Sequence, residues 1–149
     1  MGLFDMLSIS ASALTAERQR AEVTSANLAN AETTHTDTGG PYVRKEVVFS
    51  ATNGSPFRAV FNRLGQFSPA AAGSVRLSQV VSDPTPPIQR YDPGNPDADE
   101  KGYVEYPAIN PVSEMVDLMG AARAYQLNAS AVTAAKQMIQ ESIDILKST

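Results

Sequence analysis

The chain has 149 residues, enough for about one domain, and 42% hydrophobic against 19% charged residues excludes wholesale disorder. A net charge of −4 argues against nucleic acid as a partner, because phosphate contacts need clustered Lys and Arg. The absence of Cys excludes disulfide scaffolds, thiolate metal sites and thiol nucleophiles.

Only 7% of residues are aromatic and none is Trp, so a core built on Ala, Val and Leu is expected to be thin. The N-terminus has no basic region followed by an apolar one, so no cleaved signal peptide is expected. No apolar run reaches membrane-spanning length.

Good helix formers without Pro or Gly predict a helix over 6–31. Its apolar line runs through Leu7, Ala11, Leu14, Ala21 and Leu28, with Arg18 and Ser25 interrupting. Asn27 and Asn30 fall near its end, where Asn accepts a turn or left-handed backbone.

All ten prolines lie between Pro41 and Pro111, which sets a turn-rich middle apart from Pro-free ends. Thr33–Pro41 is a loop by composition. Strands are predicted over 42–49, 57–61, 75–81, 88–91 and 103–106, with a turn at Asn53-Gly54.

Asn110-Pro111 predicts the start of a second helix, with Asn as N-cap and Pro at the first helical position. Glu114 and Asp117 then suit the positive helix end. Leu118, Ala122, Tyr125, Ala129, Val132, Lys136, Ile139, Ile143 and Leu146 follow at alternating four- and three-residue steps. Only Lys136 breaks this heptad line, the mark of a helix seeking a partner helix. Asn128, one position off it, would fix register if buried and is otherwise an ordinary solvated side chain; the sequence leaves both readings open. Gly120 costs helix stability and predicts close approach of another helix.

The single histidine, His35, has no companions for a triad or a zinc site and reads as a loop residue. The segment 97–102 opens like a calcium loop, but Lys101 takes a ligand place and Ala108 replaces the closing Glu. Neither a phosphate loop nor a serine elbow is present, so no catalytic, cofactor or metal residue is assigned.

The predicted fold class is α+β: long terminal helices pairing as a coiled-coil-like stalk, with a small β-rich, Pro/Gly-rich middle module. The expected divisions are an N-terminal assembly helix over 1–32, the middle module over 33–109, and a C-terminal assembly helix over 110–149.

Ser25-Ala26-Asn27-Leu28-Ala29-Asn30-Ala31, followed by a Thr-rich loop and Gly-Pro-Tyr, resembles the N-terminal signature of bacterial flagellar rod and hook proteins. Arg123-Ala124-Tyr125-Gln126-Leu127-Asn128 resembles the C-terminal counterpart, although Gln126 and Leu127 stand where the family commonly has Glu and Ala. Residues 91–104, from Tyr91-Asp92-Pro93-Gly94-Asn95-Pro96 to Gly102-Tyr103-Val104, narrow the resemblance to the proximal-rod members.

The resemblance implies a non-enzymatic axial subunit without cofactor or small-molecule substrate. It implies export through the flagellar type III apparatus without a cleaved signal, and assembly into a rod that crosses the periplasm. Implied partners are other rod proteins, basal-body base proteins, the export apparatus and further copies of the chain. Assembly roles are expected for Leu7, Leu14, Asn27, Leu28, Asn30, Leu118, Arg123, Tyr125, Asn128, Val132, Ile139, Ile143 and Leu146. The rivals are a soluble coiled-coil adaptor or secretion chaperone, and a small hydrolase or calcium-binding enzyme.

Overall fold

A computed structural model describes residues 3–52 and 73–147. Helix α1 spans Leu3–Ala29, followed by strands β1 (Lys45–Thr52), β2 (Ser74–Ser82), β3 (Ile88–Tyr91) and β4 (Tyr103–Tyr106), then helix α2 (Pro111–Lys147). The class is α+β: β1 pairs with β2 and β3 with β4 in two two-stranded sheets. The predicted strand over 57–61 and the turn at 53–54 lie outside the described residues.

The helix ends follow local chemistry. Asn110 Oδ1 accepts the Val112 N–H at 3.0 Å, an N-cap bond that leaves Pro111 in the first turn, where its missing N–H costs nothing. At the end of α1 the Asn30 amide donates back to the Ala26 carbonyl at 2.9 Å, and Thr33 Oγ1 donates to Asn30 Oδ1 at 3.2 Å. No non-glycine residue has positive φ among the described residues, so Asn30 ends the helix through a side-chain turn rather than a left-handed cap.

Two compact units divide the chain. One comprises Gln19–Val48 and Gln79–Ala121; the other comprises Met1–Arg18, Phe49–Ser78 and Ala122–Thr149. In the first, Val104, Ile109 and Ala121 are buried together with the polar residues Thr24, Asn27 and Glu114. In the second, the buried hydrophobic residues among those described are the small Ala16 and Ala135.

The β3–β4 hairpin is antiparallel, with Ile88 opposite Tyr106 and Tyr91 opposite Tyr103. The Tyr91 and Tyr103 rings meet edge to face at 5.4 Å, and the Arg90 guanidinium lies over the Tyr106 ring at 4.6 Å. Asp99 Oδ1 accepts the Lys101 and Tyr103 N–H groups at 2.9 and 2.8 Å, so this carboxylate closes the turn from within. The calcium-like spacing is thus an Asp turn, and no group of three His, Asp or Glu among the described residues is placed to hold a metal ion.

The two informative glycines behave oppositely. Gly102 sits at φ +81°, and a Cβ there would meet the Tyr91 ring at 2.9 Å and Pro93 at 3.2 Å. Gly120 faces open space, with nothing within 4 Å of a Cβ, so the expected close approach of another helix is not made among the described residues. Gly102→Ala is expected to destabilise the chain by about 1–2 kcal/mol through left-handed backbone strain. Gly120→Ala is expected to stabilise it by about 1 kcal/mol through helix propensity. Denaturant titration of both variants checks the pair, and a change of the same sign in both would refute it.

Candidate assembly site

The first unit is organised around a buried amide. Asn27, 1% exposed, lies on the inward side of α1 and uses all four hydrogen-bonding positions of its side chain. Nδ2 donates to the Lys45 carbonyl at 2.8 Å and to Glu114 Oε2 at 3.2 Å. Oδ1 accepts the Lys45 N–H at 3.0 Å and the Tyr42 hydroxyl at 3.1 Å. The side chain therefore grips both backbone groups of one residue, as a neighbouring strand would, and anchors the entrance to β1 on the helix.

Glu114, 2% exposed, completes the cluster from the first turn of α2. Its Oε1 accepts Arg44 Nε at 2.7 Å, while Oε2 takes the Asn27 amide. Arg44 also donates through Nη1 to Glu46, and to Asp83 at 3.5 Å. A carboxylate this deeply buried is tolerable only because both oxygens are bonded and one partner is a cation. Arg20 of α1 reaches Asp117 of α2 at 3.4 Å, a second and more exposed link between the same two segments.

The electrostatics follow the geometry. The bond to Glu114 holds the Arg44 guanidinium well above its ordinary range, so its charge is permanent. Burial, and then the Glu114 charge, push the Tyr42 phenol up. Bonds from the Thr85 hydroxyl and N–H hold the half-buried Asp83 below its ordinary range, with Arg44 adding to them.

The residues singled out from sequence fall into three groups. Asn27 is buried and central. Leu7, Leu14, Leu28, Asn30, Leu118, Asn128, Val132 and Ile139 are half-buried. Arg123, Tyr125, Ile143 and Leu146 are exposed. Asn128 donates to the Ala124 carbonyl of its own helix at 2.9 Å. The inward line of α2 runs through Glu114, Leu118, Ala121, Asn128, Val132, Ala135 and Ile139. Two of the nine predicted heptad positions are therefore shifted by one residue: Ala121 and Ala135 are buried where Ala122 and Lys136 are exposed, while Asn128 and Ala129 are both half-buried.

Sequence reasoning missed Glu114, Arg44, Tyr42 and Lys45 as a cluster. One signal was present, because Glu114 stands four residues before Leu118 on the same helix line. His35 instead lines an open cleft of about 290 Å³ with Thr34, Asp97 and Asp99.

Asn27 and Glu114 also fall in the two segments that match known families. Residues 7–34 match the flagella basal body rod protein family, and residues 100–145 match the flagellar basal body rod FlgEFG protein C-terminal family. The flagellar basal-body rod protein FlgC of Borreliella burgdorferi is 37% identical over 99% of each chain. That of Bacillus subtilis is 38% identical over 99% of this chain and all of its own. That of Escherichia coli O157:H7 is 38% identical over 97% of this chain and 98% of its own.

The chain belongs to the flagellar basal-body rod protein family.

As a rod protein it is a structural subunit of the flagellar basal body, of the proximal-rod kind, and not an enzyme. It assembles with other rod and basal-body proteins, which sets aside the adaptor or chaperone reading. The buried cluster joins the two family segments through Tyr42, Arg44 and Lys45, which lie between them.

Removing Arg44 from this rod protein strands Glu114, whereas removing the Glu114 charge leaves Arg44 its two other carboxylates. Arg44→Leu is expected to cost about 3–5 kcal/mol and Glu114→Gln only about 1–2 kcal/mol. Urea titration tests the asymmetry, and equal costs would refute it. Tyr42 contributes stability that is complete below its ordinary value of about 10 and is lost as pH rises through its elevated folded value. Wild type is therefore expected to lose stability faster than Tyr42→Phe above about pH 10. Parallel alkaline limbs in the two stability profiles would contradict this.

Proposed function

We propose that this rod subunit polymerises through its terminal helices, linking the motor to the distal rod and hook and lining the export channel. The carrying observation is an inversion of side-chain size on α2. Its fully buried apolar positions are the small Ala121 and Ala135, while the larger Val112, Val116, Met119 and Leu127 are 58–68% exposed. A monomer seldom leaves its larger apolar side chains outside and its smaller ones inside unless another surface covers them. Ile145 and Leu146 extend the exposed apolar character to the end of the helix.

In this reading the terminal helices form a coiled-coil-like stalk with those of sister molecules. Leu7, Leu14, Leu28, Leu118, Val132, Ile139, Ile143 and Leu146 supply the apolar contacts. Asn27, Asn30 and Asn128 set local geometry, and Arg123 and Tyr125 present polar groups outward. Residues 1–32, 33–109 and 110–149 act as N-terminal assembly helix, outward middle module and C-terminal assembly helix. The Cys-free chain travels unfolded through the flagellar export apparatus without a cleaved signal, and is built into a rod that crosses the periplasm. Among the described residues no helix is long and apolar enough to cross a membrane. Thin cores order best against neighbours, so assembly contributes stability by mass action.

Met119→Asp and Ile143→Asp lie at exposed positions and are expected to change monomer stability by no more than about 0.5 kcal/mol. Both are expected to abolish incorporation into basal bodies and swimming in soft agar, as is the half-buried Leu118→Asp. Normal motility in the Met119 and Ile143 strains would refute the assembly role of this face. Deleting residues 1–30 is expected to abolish both export and incorporation, measured by secretion assay and by composition of purified basal bodies.

A further inference from the structure

We propose that Glu114 is a carboxylate latch: the first turns of α2 dock by inserting this side chain into a receptor that residues 27–45 build without it. The receptor is local. Three of the four hydrogen bonds of Asn27 go to Tyr42 and Lys45, only 15 and 18 residues away. The Tyr42 N–H also donates to the Thr33 carbonyl at 3.0 Å, which ties the connecting loop back on itself. Closing such short loops costs little chain entropy. Glu114, by contrast, is 87 residues from Asn27 and 70 from Arg44.

The receptor is also satisfied when empty. Without Glu114, Arg44 keeps the carboxylates of Glu46 and Asp83, and its carbonyl keeps the Asp83 N–H at 2.8 Å. One N–H of Asn27 and Nε of Arg44 become free, and both open to water once the helix turn that covers them leaves. The latch itself has no such reserve. Among the described residues, Arg44 and Asn27 are the only side chains bonded to the Glu114 carboxylate, and away from them it must be solvated. The need for partners thus sits on the inserted group rather than on the receptor. The start of α2 can leave and return without unravelling the segment it docks on.

The use of such a latch rests on the assembly reading: a helix that must meet sister molecules can adjust its seat while the N-terminal segment stays formed. Its existence rests on the network alone and is read in the unassembled chain, so failure of either idea shows separately. The absence of native Cys allows a clean measurement. In the full-length chain, Ser25→Cys and Ser113→Cys carry paired spin labels at exposed positions. Amide exchange is followed at Tyr42 and Lys45. In Glu114→Ala, and in the volume-conserving Glu114→Gln, the label distance distribution is expected to widen at least twofold. Protection at Tyr42 and Lys45 is expected to stay within threefold of the parent. In Asn27→Ala, distance and Tyr42 protection are expected to be lost together. Collapse of Tyr42 and Lys45 protection in the Glu114 variants, including through failure to fold, would overturn the latch. So would a distance distribution as narrow as the parent's.

Discussion

A carboxylate removed from water must be met by donors in the right places, and Glu114 imposes that demand on three separate stretches of the chain. Asn27 comes from α1, Arg44 from the segment entering β1, and Glu114 from the first turn of α2. Apolar contacts would tolerate slippage of one helix along another by a turn. A bond of 2.7 Å to a guanidinium nitrogen and another of 3.2 Å to an amide do not. The cluster therefore sets the register between the two ends of the sequence. It does so where buried apolar side chains are few: Val104, Ile109 and Ala121.

The same economy explains Asn27 at an inward helix position. A leucine there would add apolar burial but would leave the Lys45 N–H and carbonyl without partners inside the unit. Orphaned backbone groups of this kind cost more than one apolar side chain returns. The amide resolves the conflict by presenting one donor and one acceptor to the same residue, with one further donor and acceptor for Glu114 and Tyr42. Which atom is oxygen follows from the partners, because the Lys45 N–H can only donate and its carbonyl can only accept.

Local rules with strong steric content were legible in the sequence. Asn110-Pro111 marked the start of α2, the β3 and β4 spans were read as observed, and the Pro distribution separated helical ends from a strand-bearing middle. What the pattern could not supply was the phase of α2. Apolarity picks out Ala122 as readily as Ala121, and heptad spacing carries the line onto Lys136 although Ala135 stands beside it. Size and hydrogen bonding decide between them, and both depend on what the helix packs against. Glu114 escaped notice for a related reason. A carboxylate in a first turn is already explained by the helix dipole, so its place four residues before Leu118 does not by itself ask for a partner 87 residues away.

The division of labour between polar and apolar groups has a physical logic for a subunit that must close on itself and also join others. Hydrogen-bonded charge pairs are directional and are spoiled by any but the intended partner, which suits intramolecular closure. Exposed apolar side chains such as Val116, Met119 and Leu127 accept a range of neighbours, and flexible Met most of all, which suits the assembly face proposed for α2. Exchanging the roles would fail in both places. An apolar closure would leave the register loose, and a polar outer face would be satisfied by water and have little reason to associate.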